Sequence, residues 1–181
     1  MPQERPLLVA ILAVAALTVV PATVSAQPAR TFTLGLQGSI GGFTDAEPDT
    51  GFDNLGLQAF FFMEIDHATL FGVRLGQLQL EADDAFGDLY DSDLSYLTLA
   101  GEYRFPEAFY ESGLYLGLGF YSLDGGPVIE DDTGLGLNLG ATGTFRLTDR
   151  LSLVVDLSAH YADLDRAQFL FMGNVGLGFS F

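Results

Sequence analysis

An all-β fold of eight antiparallel strands, wound up and down into a closed transmembrane barrel, is predicted by three features of the sequence. After residue 26, apolar residues recur at alternate positions in eight blocks with no helical periodicity between them. Period-two alternation marks a strand with one face in an apolar medium. Each block holds about ten residues, enough for a tilted strand to cross a bilayer, and eight strands close into a barrel whose interior is filled by side chains. The connections alternate between short turns and longer acidic loops, the asymmetry of a membrane barrel with its short turns in the periplasm.

The chain begins with a segment set apart from that pattern. Leu7 to Val20 is an unbroken apolar run, preceded by Arg5 and followed by Pro21 and Val24-Ser25-Ala26. This is the form of a cleavable signal peptide, cut after Ala26. The run is too short for a membrane-spanning helix, which needs about 20 residues. The expected division is residues 1–26 as signal and 27–181 as one barrel domain. The sequence has no Cys, which excludes disulfides and a lipidated cysteine. Net charge is −17 with no Lys at all, and this balance excludes a nucleic-acid partner.

Block one, Thr31 to Ile40, sets Phe32, Leu34, Leu36 and Ile40 against Thr33, Gly35, Gln37 and Ser39. Block two, Leu55 to Ile65, places Leu57, Phe61, Met63 and Ile65 opposite a row that also holds Phe60 and Phe62. Block three, Leu70 to Glu81, changes phase at Gly76-Gln77, which predicts a β-bulge there. Block four, Leu94 to Phe105, alternates cleanly, as do block five, Leu114 to Leu123, and block six, Leu135 to Leu147. Block seven, Leu151 to Tyr161, sets Val155 and Leu157 against Asp156 and Ser158. Block eight, Gln168 to Phe181, alternates to the last residue and ends on an aromatic, with Phe179 and Phe181 on the apolar row.

The rows opposite the apolar ones are rich in Gly, which suits a crowded lumen, so the apolar rows are expected to face lipid, with a soluble barrel holding an apolar ligand as the alternative that parity alone leaves open. Aromatics near the block ends then form two interfacial girdles. Every charge within the strands falls on the lumenal row: Glu64, Arg74, Glu102, Arg104, Arg146 and Asp156, three of each sign. A buried charge without a partner is costly and Arg–carboxylate pairing satisfies both groups, so these six are expected to form an ion-pair network that closes the lumen.

Sixteen of the 23 acids of residues 27–181 lie in the four long connections. Asp91 with Asp93, and Glu130 with Asp131 and Asp132, are candidate divalent-cation ligands, although no twelve-residue calcium loop is present and a solvated acidic loop is the simpler expectation. His160-Tyr161-Ala162-Asp163 has a partial likeness to the His-x-Ser segment of outer-membrane lipid A deacylases, but Ala162 stands where the nucleophilic Ser belongs. No catalytic residue, cofactor or resident metal is predicted.

Over nearly its full length after the signal, the chain resembles the small eight-stranded barrels of the outer membrane protein A and X superfamily. The likeness rests on the export signal, the eight alternating blocks, the lumenal Arg/Glu set and the terminal Phe181. It implies a protein of the bacterial outer membrane, exported through the secretion pathway, with outer-membrane lipid as its surroundings and the barrel assembly machinery as its partner during insertion through Phe179 and Phe181. A monomer is expected, with no peptidoglycan-binding domain after Phe181. The implied role is in envelope structure or surface binding through the acidic loops, with a small-solute or ion pore and a lipid-modifying enzyme as alternatives.

Overall fold

A computed structural model describes residues 31–45, 51–83, 89–106, 110–124, 131–165 and 168–181. Eight strands follow in chain order: β1 (Phe32–Phe43), β2 (Asn54–Glu64), β3 (Thr69–Asp83), β4 (Leu89–Pro106), β5 (Tyr110–Asp124), β6 (Asp132–Arg146), β7 (Leu151–Ala162) and β8 (Phe169–Ser180). Each pairs antiparallel with its neighbour, and β1 pairs with β8, so the sheet is a closed barrel with no free edge. The expected signal and its cleavage site lie outside the described residues.

Alternation decides what faces outward. Leu34, Leu36, Leu57, Leu99, Leu116, Leu118, Leu139, Leu157 and Val175 are all exposed on the barrel wall. In water such a continuous apolar band would cost roughly 25 cal/mol per Å², and soluble monomers do not expose patches of this extent. Lipid removes that cost. At the short-turn end the band is edged by paired rings: Phe32 stacks on Phe61 and Phe181, Tyr103 meets Phe105 edge-on, and Tyr110 stacks on Phe145.

The turns are closed by side chains that mimic backbone. Asp66 Oδ1 accepts the amides of Ala68 and Thr69, each at 2.9 Å, and the carboxyl is held below its ordinary range chiefly by the Ala68 amide. Thr148 Oγ1 serves the β6–β7 turn in the same way, accepting from Leu151 N at 3.0 Å. At the seam, Phe32 and Phe181 exchange backbone hydrogen bonds of 3.0 and 2.9 Å.

Two expectations are corrected. The register across Gly76-Gln77 is continuous on both sides, Gln58 to Gly76 and Leu57 to Gln77 on β2, Gly76 to Tyr96 and Gln77 to Ser95 on β4, so there is no bulge. The phase of hydrophobicity changes while the phase of the backbone does not. Beyond Gly76 the outward residues Gln77, Gln79 and Glu81 have left the lipid, and Leu78 and Leu80 turn inward to a dry core. The acidic connection expected between blocks three and four, Ala82–Asp93, is for the same reason largely strand, since β3 continues to Asp83 and β4 starts at Leu89.

The lumen is packed by fitting large aromatics against cross-strand glycines. Gly35 is opposite Phe60, Gly76 opposite Tyr96 and Gly140 opposite Tyr115, and a Cβ at any of these would collide with the facing ring. At the long-loop end Phe43, Leu78, Leu80, Leu94, Tyr96 and Tyr121 belong to one buried apolar layer. Nearer the short turns Phe60, Phe62, Leu70, Tyr115 and Val154 form a second.

Candidate functional site in the lumen

Polar side chains occupy the barrel interior along with the apolar layers, and they are joined in two networks. Arg74 on β3 is the hub of the first. Its Nη1 donates to Asp156 Oδ2 at 2.5 Å and its Nη2 lies 3.5 Å from Glu102 Oε2. Asp156 belongs to β7, four strands away on the opposite wall. Asp156 Oδ1 also accepts from Tyr115 Oη at 3.1 Å and Asn174 Nδ2 at 2.9 Å. The guanidinium lies 3.8 Å from the centroid of the Tyr115 ring and 5.1 Å from that of Phe62.

From Glu102 the chain of charge continues toward the short turns. Glu102 Oε1 accepts from Arg104 Nε at 2.9 Å and from Thr142 Oγ1 at 3.0 Å. Arg104 Nη1 reaches Glu111 Oε2 at 3.3 Å, and Arg146 Nη2 reaches Glu111 Oε1 at 2.6 Å. Burial falls along the series, from 2 % exposure at the Glu102 side chain to 70 % at Arg146. Charges at the Arg74 end therefore interact in a medium that screens little, and the Arg146 pair is a surface pair worth at most ~1 kcal/mol.

Two residues depart from the sequence expectation. Glu64 faces the lumen at the last position of β2 but joins none of the ion pairs among the described residues, because it sits at the barrel mouth opposite Leu70, well below Arg74 in the register. Glu111 takes part in its place. The sequence leaves it between blocks four and five, but β5 starts at Tyr110, and that start puts Glu111 on the lumenal row with Gly113 and Tyr115.

The second network sits toward the long-loop end. Tyr96 Oη donates to Gln58 Oε1 at 2.8 Å, and Gln58 Nε2 donates to Gln37 Oε1 at 2.8 Å. His160 Nδ1 is 2.9 Å from Tyr121 Oη, and its Nε2 is 3.0 Å from Ser158 Oγ. Ser158, His160 and Tyr121 thus have the spacing of a nucleophile, a base and its orienting group. They are sealed in the lumen, with Tyr96 edge-on to the imidazole at 5.4 Å and the apolar layer between them and the long-loop end. Ser158, His160 and Tyr121 are all buried, and the trio reads as a buried polar bridge.

Among the described residues the candidate cation ligands form no metal-holding group. Asp93 is on β4 in register with Gln79 and Asp124, and Asp91 is on the same strand in register with Glu81, so neither belongs to a loop. Asp132 opens β6 and accepts the amides of Thr133 at 2.7 Å and Asp165 at 2.6 Å, which uses it as a loop clamp. Asp131 is exposed just before β6, and Glu130 lies outside the described residues. Among the described residues no group of three or more His, Asp or Glu could hold a metal ion. Asp45 is a clamp that sequence reasoning missed, accepting from Gln168 and Phe169 amides across the β1–β8 seam at 3.0 and 2.9 Å.

No protein-family model matches the chain, and no curated protein sequence matches it. Solved structures do. Neisserial surface protein A superposes with a TM-score of 0.58 at 13% identity, over 83% of this chain and 95% of that one. The attachment invasion locus protein Ail of Yersinia pestis, in complex with the heparin analogue sucrose octasulfate, gives 0.53 at 18% identity, over 84% and 97%. A major outer membrane protein of Thermus thermophilus gives 0.56 at 18%, over 85% and 100%. At these identities what is shared is architecture, and it is shared over nearly the whole length of each neighbour: the chain has the fold of the eight-stranded outer-membrane β-barrels.

Proposed function

We propose that the chain is an integral protein of the bacterial outer membrane, exported by residues 1–26, whose closed barrel presents its long-loop end outside the cell for envelope structure or surface binding. The observation that carries this reading is the double closure of the lumen. A solute entering from the short-turn end meets the Arg74 layer, and beyond it Leu78, Leu94, Tyr96 and Tyr121, all buried. That filling favours an anchor over a pore. Function then belongs to the surface outside the membrane, where β3 to β6 project and the acids are concentrated.

The charge of that surface constrains its partner. The Ail structure holds a polyanion, whereas this chain has a net charge of −17 and no Lys. Its loops suit a cationic partner or one bridged by divalent ions. The test is to replace 84–88 and 125–130 by short Gly-Ser turns, which leaves the barrel strands intact, and to compare dye entry and partner capture in cells carrying either form. Loss of both with the trimmed protein still inserted supports the reading; full retention of both contradicts it.

A further inference from the structure

We infer that a notch over Gly101 on the outer wall of the barrel seats one acyl chain of a glycerophospholipid, with the Tyr103 hydroxyl donating to an ester carbonyl of the same lipid. The inference rests on the outer-membrane reading above and adds a specific lipid site to it. A shallow depression of about 340 Å³ spans β3 to β5 there, lined by Thr69, Gly101, Tyr103, Leu114 and Leu116.

Register explains the notch. Phe71, Gly101 and Leu116 are neighbours in one row of the outer wall, and Phe71 and Leu116 are 49% and 63% exposed. Between these two large side chains the row has a position with none, and a Cβ added at Gly101 would meet no heavy atom within 4 Å. The next row toward the short turns holds Thr69, Tyr103 and Leu114, about 7 Å away along the strand.

Three features select the occupant. The outward side chains around the notch carry no charge, and Glu102, which also borders it, turns its carboxylate into the lumen to Arg74 and Arg104. An uncharged body therefore fits. The gap is one side chain wide, which admits a polymethylene chain, whereas the convex wall of a second barrel would stop on Phe71 and Leu116. The notch also opens at the short-turn edge of the apolar band, where Tyr103 lies edge-on to Phe105 and is itself half exposed. Tyrosine at such an edge keeps its ring in hydrocarbon and its hydroxyl at the polar boundary, which is the level of a lipid's ester carbonyls.

The test is native mass spectrometry of the barrel refolded into palmitoyl-oleoyl phosphatidylcholine vesicles, beside vesicles of the dialkyl-ether analogue, which has no carbonyl. One retained ester lipid per barrel is expected. Gly101→Leu, which fills the notch where a single methyl leaves it open, is expected to retain about tenfold less, and Tyr103→Phe about fivefold less, the weight of one hydrogen bond. The ether analogue is expected to be held by the parent as weakly as the ester lipid is by Tyr103→Phe. Gly38→Leu, at an exposed glycine of β1 away from the notch, is expected to match the parent. Heat-modifiable gel migration shows whether each form has inserted, and a parent that does not insert overturns the outer-membrane reading together with the site. An inserted parent that holds no lipid, equal retention in Gly101→Leu, or equal retention of the ether analogue would each overturn the seat alone. Barrel pairs that disappear in Gly101→Leu would put a second copy in the notch and overturn it as well.

Discussion

Arg74 and Asp156 stand on opposite walls of the barrel and meet within it, Nη1 to Oδ2 at 2.5 Å, so that one ion pair braces β3 against β7. Neighbouring strands are already tied by backbone hydrogen bonds. This contact ties strands that have none in common, and it does so where both side chains are almost wholly buried.

Removing Asp156 leaves Arg74 buried and charged with only the longer contact to Glu102, at 3.5 Å, to compensate it. Asp156→Ala is expected to cost about 3–5 kcal/mol, measured by urea unfolding from lipid vesicles. Arg74→Met with Asp156→Leu is expected to cost less than the single change, because the buried charge goes with its partner. A double variant as unstable as Asp156→Ala would contradict this view of the brace.

Gly140 is opposite Tyr115, whose ring supports the guanidinium of Arg74. A Cβ at Gly140 would collide with that ring and with the backbone carbonyl of Leu157. Gly140→Ala is therefore expected to lose about 1–3 kcal/mol, the range for overpacking. Gly101→Ala, which meets nothing within 4 Å on the lipid face, serves as the control and should leave the unfolding midpoint in place.

Asp66 makes one turn sensitive to acid. Its carboxyl is depressed in the folded protein, so its contribution is complete above the unfolded value of about 3.9 and is lost as pH falls through the lower folded value. Unfolding midpoints followed from pH 5 downward should fall more steeply for the wild type than for Asp66→Asn. Parallel curves would show that the turn carboxylate plays no part.

Phe181 closes the seam through two backbone hydrogen bonds to Phe32 and a ring contact with it at 6.0 Å. If Phe181 is also read by the barrel assembly machinery, Phe181→Ala should slow assisted folding far more than spontaneous folding into thin bilayers. Equal slowing would reduce Phe181 to a seam residue.

The architecture was legible because lipid enforces it: every outward position within the bilayer must be apolar, and period two then reveals each strand. The same rule explains what was misread. Outside the bilayer the outward face is polar and the inward face dry, so Leu78, Leu80 and Leu94 gave a reversed pattern that imitated a bulge and a loop. Residue types on the lumenal row identified the charges but not their partners. Pairing of Arg74 with Asp156 depends on where strands four apart face each other in the closed barrel, which local spacing does not encode. Glu111 was hidden by the turn-like composition of Pro106 to Ser112, and Glu64 was included on parity although its depth in the register separates it from Arg74.

Closure of the lumen is tested most directly by single-channel recording of refolded residues 27–181 in planar bilayers, beside Arg74→Ala and Glu102→Ala. A closed lumen gives a silent wild type and intermittent leak in the variants. Steady, reproducible wild-type conductance would contradict it and make transport the function to explain.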